Sequence, residues 1–242
     1  MLQNKVTEYL KRNGFEAFNP KAVLFDMDGV IYDSMYNHSE CWHKAMKKCG
    51  LEMTREEAYL WEGMRGEEVI QNLARQQWHR ELTNEQAHEI YLVKSAIFSS
   101  LEPAKKMEGI TELFQQIHSD GLNIGVVTGS GQKSLLDRLE EDFCGLIRRD
   151  LVVTSYDVRQ GKPNPEPYLC GLIKNEVKAN EAIVVENAPL GVRAAVNAGI
   201  FTIAVNTGPL SNEELIKEGA NLVFNSMTDL CEYWMNFRQF FL

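Results

Sequence analysis

Ala22-Val23-Leu24-Phe25-Asp26-Met27-Asp28-Gly29-Val30 is the stretch whose reading decides the fold. Four apolar residues in a row, without polar alternation, read as a strand buried on both faces, which is the signature of a parallel sheet covered by helices. The run empties into two carboxylates. Residues two apart on an extended chain project to one side, so Asp26 and Asp28 can face a single small volume, while Gly29 permits a sharp exit. Two close carboxylates suit a hard divalent cation. A calcium-binding loop is the competing reading, but it needs a glycine at its sixth position and a closing glutamate, and neither is present.

Further apolar or β-branched runs follow at Asn123–Val127, Leu151–Thr154, Ala182–Val185, Phe201–Val205 and Asn221–Phe224. Helical patterns lie between them at Glu108–Ser119, Gln132–Glu141, Glu166–Lys174, Gly191–Ala198 and Asn212–Glu218. A short amphipathic helix over Val6–Arg12 precedes the first strand. Strand and helix alternation implies an α/β fold, a Rossmann-like doubly wound parallel sheet. Ligands of such sheets bind beyond the carboxyl ends of the strands. From Tyr36 to Ser100 the pattern is helical throughout, with capping-box signatures at Thr54 with Glu57 and at Thr83 with Gln86. The expected organisation is a core of residues 1–33 and 103–242 with an inserted helical cap, 34–102.

Bulk properties narrow the function. The 242-residue chain carries a formal net charge of −9, which opposes long-range attraction to nucleic acid or anionic lipid. The N-terminal stretch lacks a signal-peptide pattern, and no run is long and apolar enough to span a bilayer, so a cytoplasmic protein with no membrane partner is expected. The five cysteines include no C-x-x-C pair and are odd in number, which fits reduced thiols.

The other strand ends carry chemistry too. The second opens into Val127-Thr128-Gly129-Ser130-Gly131, a hydroxyl beside backbone N–H groups at a helix start, with Lys133 in the first turn; this is an anion site or a plain glycine-rich turn. The third leads to Gly161-Lys162-Pro163-Asn164-Pro165, where prolines stiffen the approach of Lys162. The fourth ends Val185-Glu186-Asn187-Ala188-Pro189-Leu190-Gly191, with Asn187 a capping residue or an oxygen ligand. The four signals fall in order at the ends of four expected parallel strands.

In these motifs the chain resembles the haloacid dehalogenase superfamily, whose ordered motifs match Asp26-Met27-Asp28-Gly29, Thr128, Lys162 and Glu186-Asn187. It resembles the β-phosphoglucomutase-like branch through Asp33-Ser34, His38 and Trp42, through Gly161-Lys162-Pro163-Asn164-Pro165, and through Ala188-Pro189-Leu190-Gly191-Val192. Within the branch it is most similar to an inorganic pyrophosphatase variant, which has Glu-Asn in place of Glu-Asp and a cap acid before a glycine, here Glu62-Gly63.

The resemblance implies a Mg2+-dependent phosphohydrolase. Asp26 would become the aspartyl phosphate, and Asp28 would serve as acid and base. Thr128, with Gly129 and Ser130, would hold phosphoryl oxygens, and Lys162 would offset charge. Mg2+ would sit on Asp26, the backbone carbonyl of Asp28, and Asn187, with Glu186 a ligand or one shell out. His38, Glu62, Arg65 and Lys94 are the cap-side substrate candidates, and Glu62 is either a solvated helix-end acid or, reaching in from the closed cap, would restore the carboxylate that Asn187 lacks.

The implied partner is a small phosphorylated substrate, with pyrophosphate ranked before sugar phosphates, and a monomer or weak homo-oligomer is expected. The alternatives are a β-phosphoglucomutase and a noncatalytic binding module.

Overall fold

The computed structural model describes residues 2–130 and 133–241, without the side chains at 133–135. Six parallel strands form one sheet: β1 (Ala22–Phe25), β2 (Asn123–Val127), β3 (Val152–Val153), β4 (Ala182–Glu186), β5 (Phe201–Val205) and β6 (Leu222–Phe224), in spatial order β3-β2-β1-β4-β5-β6. The fold is the expected Rossmann-like α/β sheet. Every residue of β1, β4 and β5 is buried, which is why these strands carry unbroken apolar runs. Strand periodicity divides the packing: Val23, Phe25, Ile183 and Val185 face one helical layer, and Leu24 and Val184 face the other.

Order reverses at β1, which pairs with β2 on one side and β4 on the other. Phe25 registers with Val126 and Val185, so Asp26 leaves the sheet between the ends of both neighbours. That is the switch point at which doubly wound sheets open a crevice.

Element ends differ from the expectation in instructive ways. The strand expected over Leu151–Thr154 shrinks to Val152–Val153, because Leu151 closes a 3-10 turn and the Asp157 carboxylate accepts from both Thr154 N–H (2.7 Å) and its hydroxyl (2.8 Å), turning the chain away. The helix expected from Glu108 begins at Ile110, after Gly109 at φ 86°. The one expected from Gly191 begins two residues earlier, with Pro189 in its first turn. For the helix expected over Gln132–Glu141, Gly131 and Gln132 lie outside the described residues, and the helix runs Lys133–Asp142. The N-terminal helix is longer than read, Leu2–Asn13, and docks on the sheet: fully buried Tyr9 packs edge-on against Phe201 and donates to Gly199 O at 2.9 Å.

Residues 35–99 contribute four α-helices, Met35–Lys48, Arg55–Leu60, Gly66–Gln77 and Asn84–Ser99. Both capping boxes form. These helices close on a core of their own, which includes Trp42, Met46, Met53, Ile70 and Leu73. The two chain crossings that join them to the sheet run side by side, with Asp33 N–H donating to Lys105 O at 2.9 Å and Met107 N–H to Ile31 O at 2.8 Å. Among the described residues no helix is long and apolar enough to cross a membrane.

Candidate active site

β1 delivers Asp26 into a buried cluster at the switch point. The ammonium of Lys162, 1% exposed, bonds the Asp26 carboxylate, Glu186 Oε1 at 2.6 Å and Val127 O at 3.2 Å, which uses its three donors on three acceptors. Burial opposes the charged form of Lys162, but Asp26 and Glu186 outweigh it and hold the pKa above the ordinary lysine value. Burial raises Asp26 to about 7, against the pull of Lys162 and with the push of Glu186 and Asp28.

Glu186 is fully engaged. Its Oε1 also accepts from Tyr168 O–H at 2.8 Å, and its Oε2 accepts from the N–H groups of Asn187 (2.9 Å) and Ala188 (3.2 Å). A Cβ at Gly191 would overlap this carboxylate, so glycine leaves the space it occupies. Of the two positions open to Glu186, ligand or one shell out, this geometry fits the second.

Of the four buried side-chain oxygens without a hydrogen-bond partner among the described residues, two lie at this site, Asp26 Oδ2 and Asn187 Oδ1. Orphaned hard oxygens in a buried polar site fit a magnesium ion. No group of three His, Cys, Asp or Glu side chains is arranged as a metal site among the described residues, so the fit rests on a mixed set of one carboxylate, one amide oxygen and backbone. Gly29, at φ 82°, allows the Asn187 amide to lie against the Asp28-Gly29 turn, where a Cβ would collide with it.

Asp28 lies past the strand, and residues of the cap side hold it. Ser34 donates to its Oδ1 at 2.6 Å and His38 Nε2 lies at 3.1 Å. Lys94, 5% exposed, approaches His38 Nδ1 at 2.8 Å, with its ammonium over the rings of Trp42, Tyr91 and Phe98. An ammonium can only donate, so His38 Nδ1 accepts and its Nε2 carries the proton toward Asp28. Burial and the Lys94 charge hold the imidazole neutral by lowering its pKa. Burial works against ionised Asp28, yet the His38 and Ser34 contacts bring it down to about 2.

Asp26, Asp28, Gly129, Ser130, Glu62 and Lys94 face one cavity of about 300 Å3 between sheet and cap. Glu62, in the cap turn, is pushed up to about 8 by burial and then by Asp28 and Asp26. Thr128, 4% exposed, accepts from Ser130 N–H at 3.0 Å, so that donor is already engaged. Arg65, expected as a substrate contact, lies between the cavity-lining residues Met64 and Gly66. It is absent from the cavity wall and donates to Arg159 O at 2.9 Å, because Gly161 gives its stem a seat outside the site.

Two contributors, Tyr168 and Arg138, escaped the sequence, and Ser34 was read there only as part of a motif, without its role. Tyr168 acts through a hydrogen bond to Glu186 that no motif spacing reveals. Arg138 reaches the cavity margin but is tied to Asp142 and Ala104 O, with its guanidinium 4.3 Å over Tyr32.

The family model for haloacid dehalogenase-like hydrolases matches residues 23–205. A validoxylamine A 7'-phosphate phosphatase of Streptomyces hygroscopicus subsp. limoneus is 29% identical over 188 residues, covering 77% of this chain and 86% of that protein. A β-phosphoglucomutase of Bacillus subtilis (strain 168) is 26% identical over 231 residues, covering 90% and 97%. A solved structure from Bacteroides vulgatus, provisionally assigned as a β-phosphoglucomutase, superposes with TM-score 0.95 at 49% identity, covering 98% of this chain and 97% of that one.

Proposed function

The chain belongs to the haloacid dehalogenase-like hydrolase family, and from that premise we propose that it is a magnesium-dependent phosphohydrolase working through a phosphoaspartate on Asp26. One observation carries the reading: Asp26 is clamped by Lys162 on one carboxylate oxygen while the other, with Asn187 Oδ1, is buried and unpaired. Asp26 Oδ2, Asn187 Oδ1 and the backbone carbonyl of Asp28 would hold magnesium, which when bound supplies positive charge to the transferring phosphoryl oxygens.

The chain's own groups do the rest. The Asp26 carboxylate attacks phosphorus, and the bond from phosphorus to the leaving oxygen breaks as Asp28 gives that oxygen a proton. Asp28 is ionised in the substrate-free site, so it takes up this proton as the anionic substrate enters and disfavours a second negative charge beside it. A water then attacks phosphorus, its proton passes to Asp28, and the Asp26–phosphorus bond breaks to free orthophosphate. Lys162 offsets the charge at Asp26 throughout, Thr128 with Gly129 and Ser130 borders the phosphoryl oxygens, and Glu186, braced by Tyr168, positions Lys162.

Pyrophosphate ranks first among substrates. Asn187 brings no charge where a carboxylate would, and Glu62 lines the same cavity as Asp26 and Asp28, from which, once a bound cation draws off its proton, it would supply the missing carboxylate. Sugar phosphates rank second, supported by the names of the two curated relatives. A mutase ranks lower because a sugar bisphosphate carries a second dianion, and the cap-loop arginine, outside the cavity lining, donates to Arg159 O instead.

Orthophosphate release from pyrophosphate, hexose phosphates and nucleotides, with and without magnesium, tests this. Magnesium-dependent turnover with pyrophosphate favoured is expected. A hexose phosphate preferred by about tenfold or more in kcat/KM overturns the ranking, glucose 6-phosphate formed from β-glucose 1-phosphate overturns the hydrolase reading, and no turnover of any substrate leaves a noncatalytic module.

A further inference from the structure

We infer that Arg65 is a positioning residue that latches the cap turn Trp61–Arg65 onto the loop carrying Lys162; this rests on the proposed role of Lys162. Three contacts converge. Arg65 Nη1 donates to Arg159 O at 2.9 Å. Its stem lies against Gly161, where a Cβ would stand 2.8 Å from Arg65 Cγ and 3.3 Å from Arg65 N. Two residues earlier Gly63, at φ 85°, lies so close on the Lys162 stem that a Cβ would stand 2.8 Å from Lys162 Cδ.

The receiving loop is itself rigid. Glu166 accepts from the N–H groups of Arg159 and Gln160, both at 2.9 Å, so Arg65 fastens the cap to a fixed point rather than to a swinging one. On the other side of the turn, the Tyr59 ring rests on Gly208, where a Cβ would stand 2.9 Å from the ring. The Glu62-Gly63 turn is therefore pinned at both ends. The latch covers the aliphatic stem of Lys162 against water and holds Glu62 on the cavity wall. Because Arg65 is not among the residues that line the cavity, its loss is expected to act on the fraction of closed, competent enzyme and not on contact with substrate.

The test pairs Arg65→Ala with Gly161→Ala and their combination. Hydrogen exchange on the metal-free, substrate-free protein is expected to speed up for amides 61–66 and 159–162 in Arg65→Ala and to stay unchanged in β1. With magnesium and pyrophosphate, or p-nitrophenyl phosphate if pyrophosphate is not turned over, kcat is expected to fall about tenfold with KM held within about threefold, and Arg65→Lys to recover part of the loss.

Gly161→Ala should reproduce the kcat loss, and in the Arg65→Ala background should add less than about twofold, since the stem it collides with is gone. Unchanged exchange, a KM increase at constant kcat, or fully multiplicative losses would each overturn the latch. Failure of the nucleophile assignment is seen separately, as normal turnover by Asp26→Asn, and leaves the exchange result standing.

Discussion

Lys162 places one positive charge between two buried carboxylates, and its removal strands both. For Lys162→Met we expect a stability loss of about 3 kcal/mol, the usual penalty for leaving a buried charge unpaired. A fall in kcat of about a hundredfold or more is expected with it. Urea denaturation and phosphate release measure the two; a destabilisation under about 1 kcal/mol would mean that Asp26 and Glu186 are solvated after all.

Glu62 gives a pH signature. Its carboxyl is raised from 4.5 to about 8, so the folded chain keeps a proton that the unfolded chain has lost, and stability falls as pH rises between those values. Asp26, raised to about 7, adds to the same decline. Denaturation midpoints taken in chelator should therefore drop across this window, and Glu62→Gln should reduce the slope; an unaltered slope places Glu62 in solvent.

Much of this cluster was legible because strand ends are local features: Asp26, Thr128 and Glu186 each sit where a short apolar run stops, and Lys162 stands in the proline-stiffened segment that follows the third. What Glu186 and Arg65 do was not legible. Glu186 is saturated by Tyr168 and Lys162, and Arg65 is drawn outward by a carbonyl 94 positions away, so both outcomes depend on partners that chain spacing does not announce.

At the level of elements, the N-terminal helix shows how a segment without a motif can matter to the whole. Tyr9 fills the space between Phe15, Phe18 and Phe201, and its one hydroxyl proton is shared between the carbonyls of Gly199 (2.9 Å) and Ala179 (3.2 Å). Tyr9→Ala is expected to cost about 3 to 5 kcal/mol by denaturant titration, with kcat unchanged within about twofold in native buffer. A kcat that falls with stability would tie this helix to the site. The helix itself was readable from its period, but its docking was not, since all but the nearest of its partners lie far along the chain. The cap helices were readable for the opposite reason: their capping boxes close within four residues, so propensity and tertiary structure agree. β3 came out shorter than its apolar run because the Asp157 side chain competes for the backbone at its end.

Across the whole molecule, two cores divide the labour. The sheet supplies a rigid switch point with Asp26 between β2 and β4, and the cap core, closed on itself, supplies the wall that carries Glu62, Lys94 and His38. Asp28 joins the two, since it belongs to the sheet exit yet takes its hydrogen bonds from Ser34 and His38. In the proposed reaction, chemistry at Asp26 would therefore draw on residues of both parts.

The most direct measurement is rapid acid quench of magnesium-loaded protein during turnover of pyrophosphate, or of the best substrate in the panel, followed by peptide mass analysis. A phosphoryl group is expected on the peptide containing Asp26, sensitive to hydroxylamine and absent in Asp26→Asn, which should also lose turnover. A protein that turns over substrate without ever carrying that adduct, or that works normally as Asp26→Asn, would contradict this mechanism.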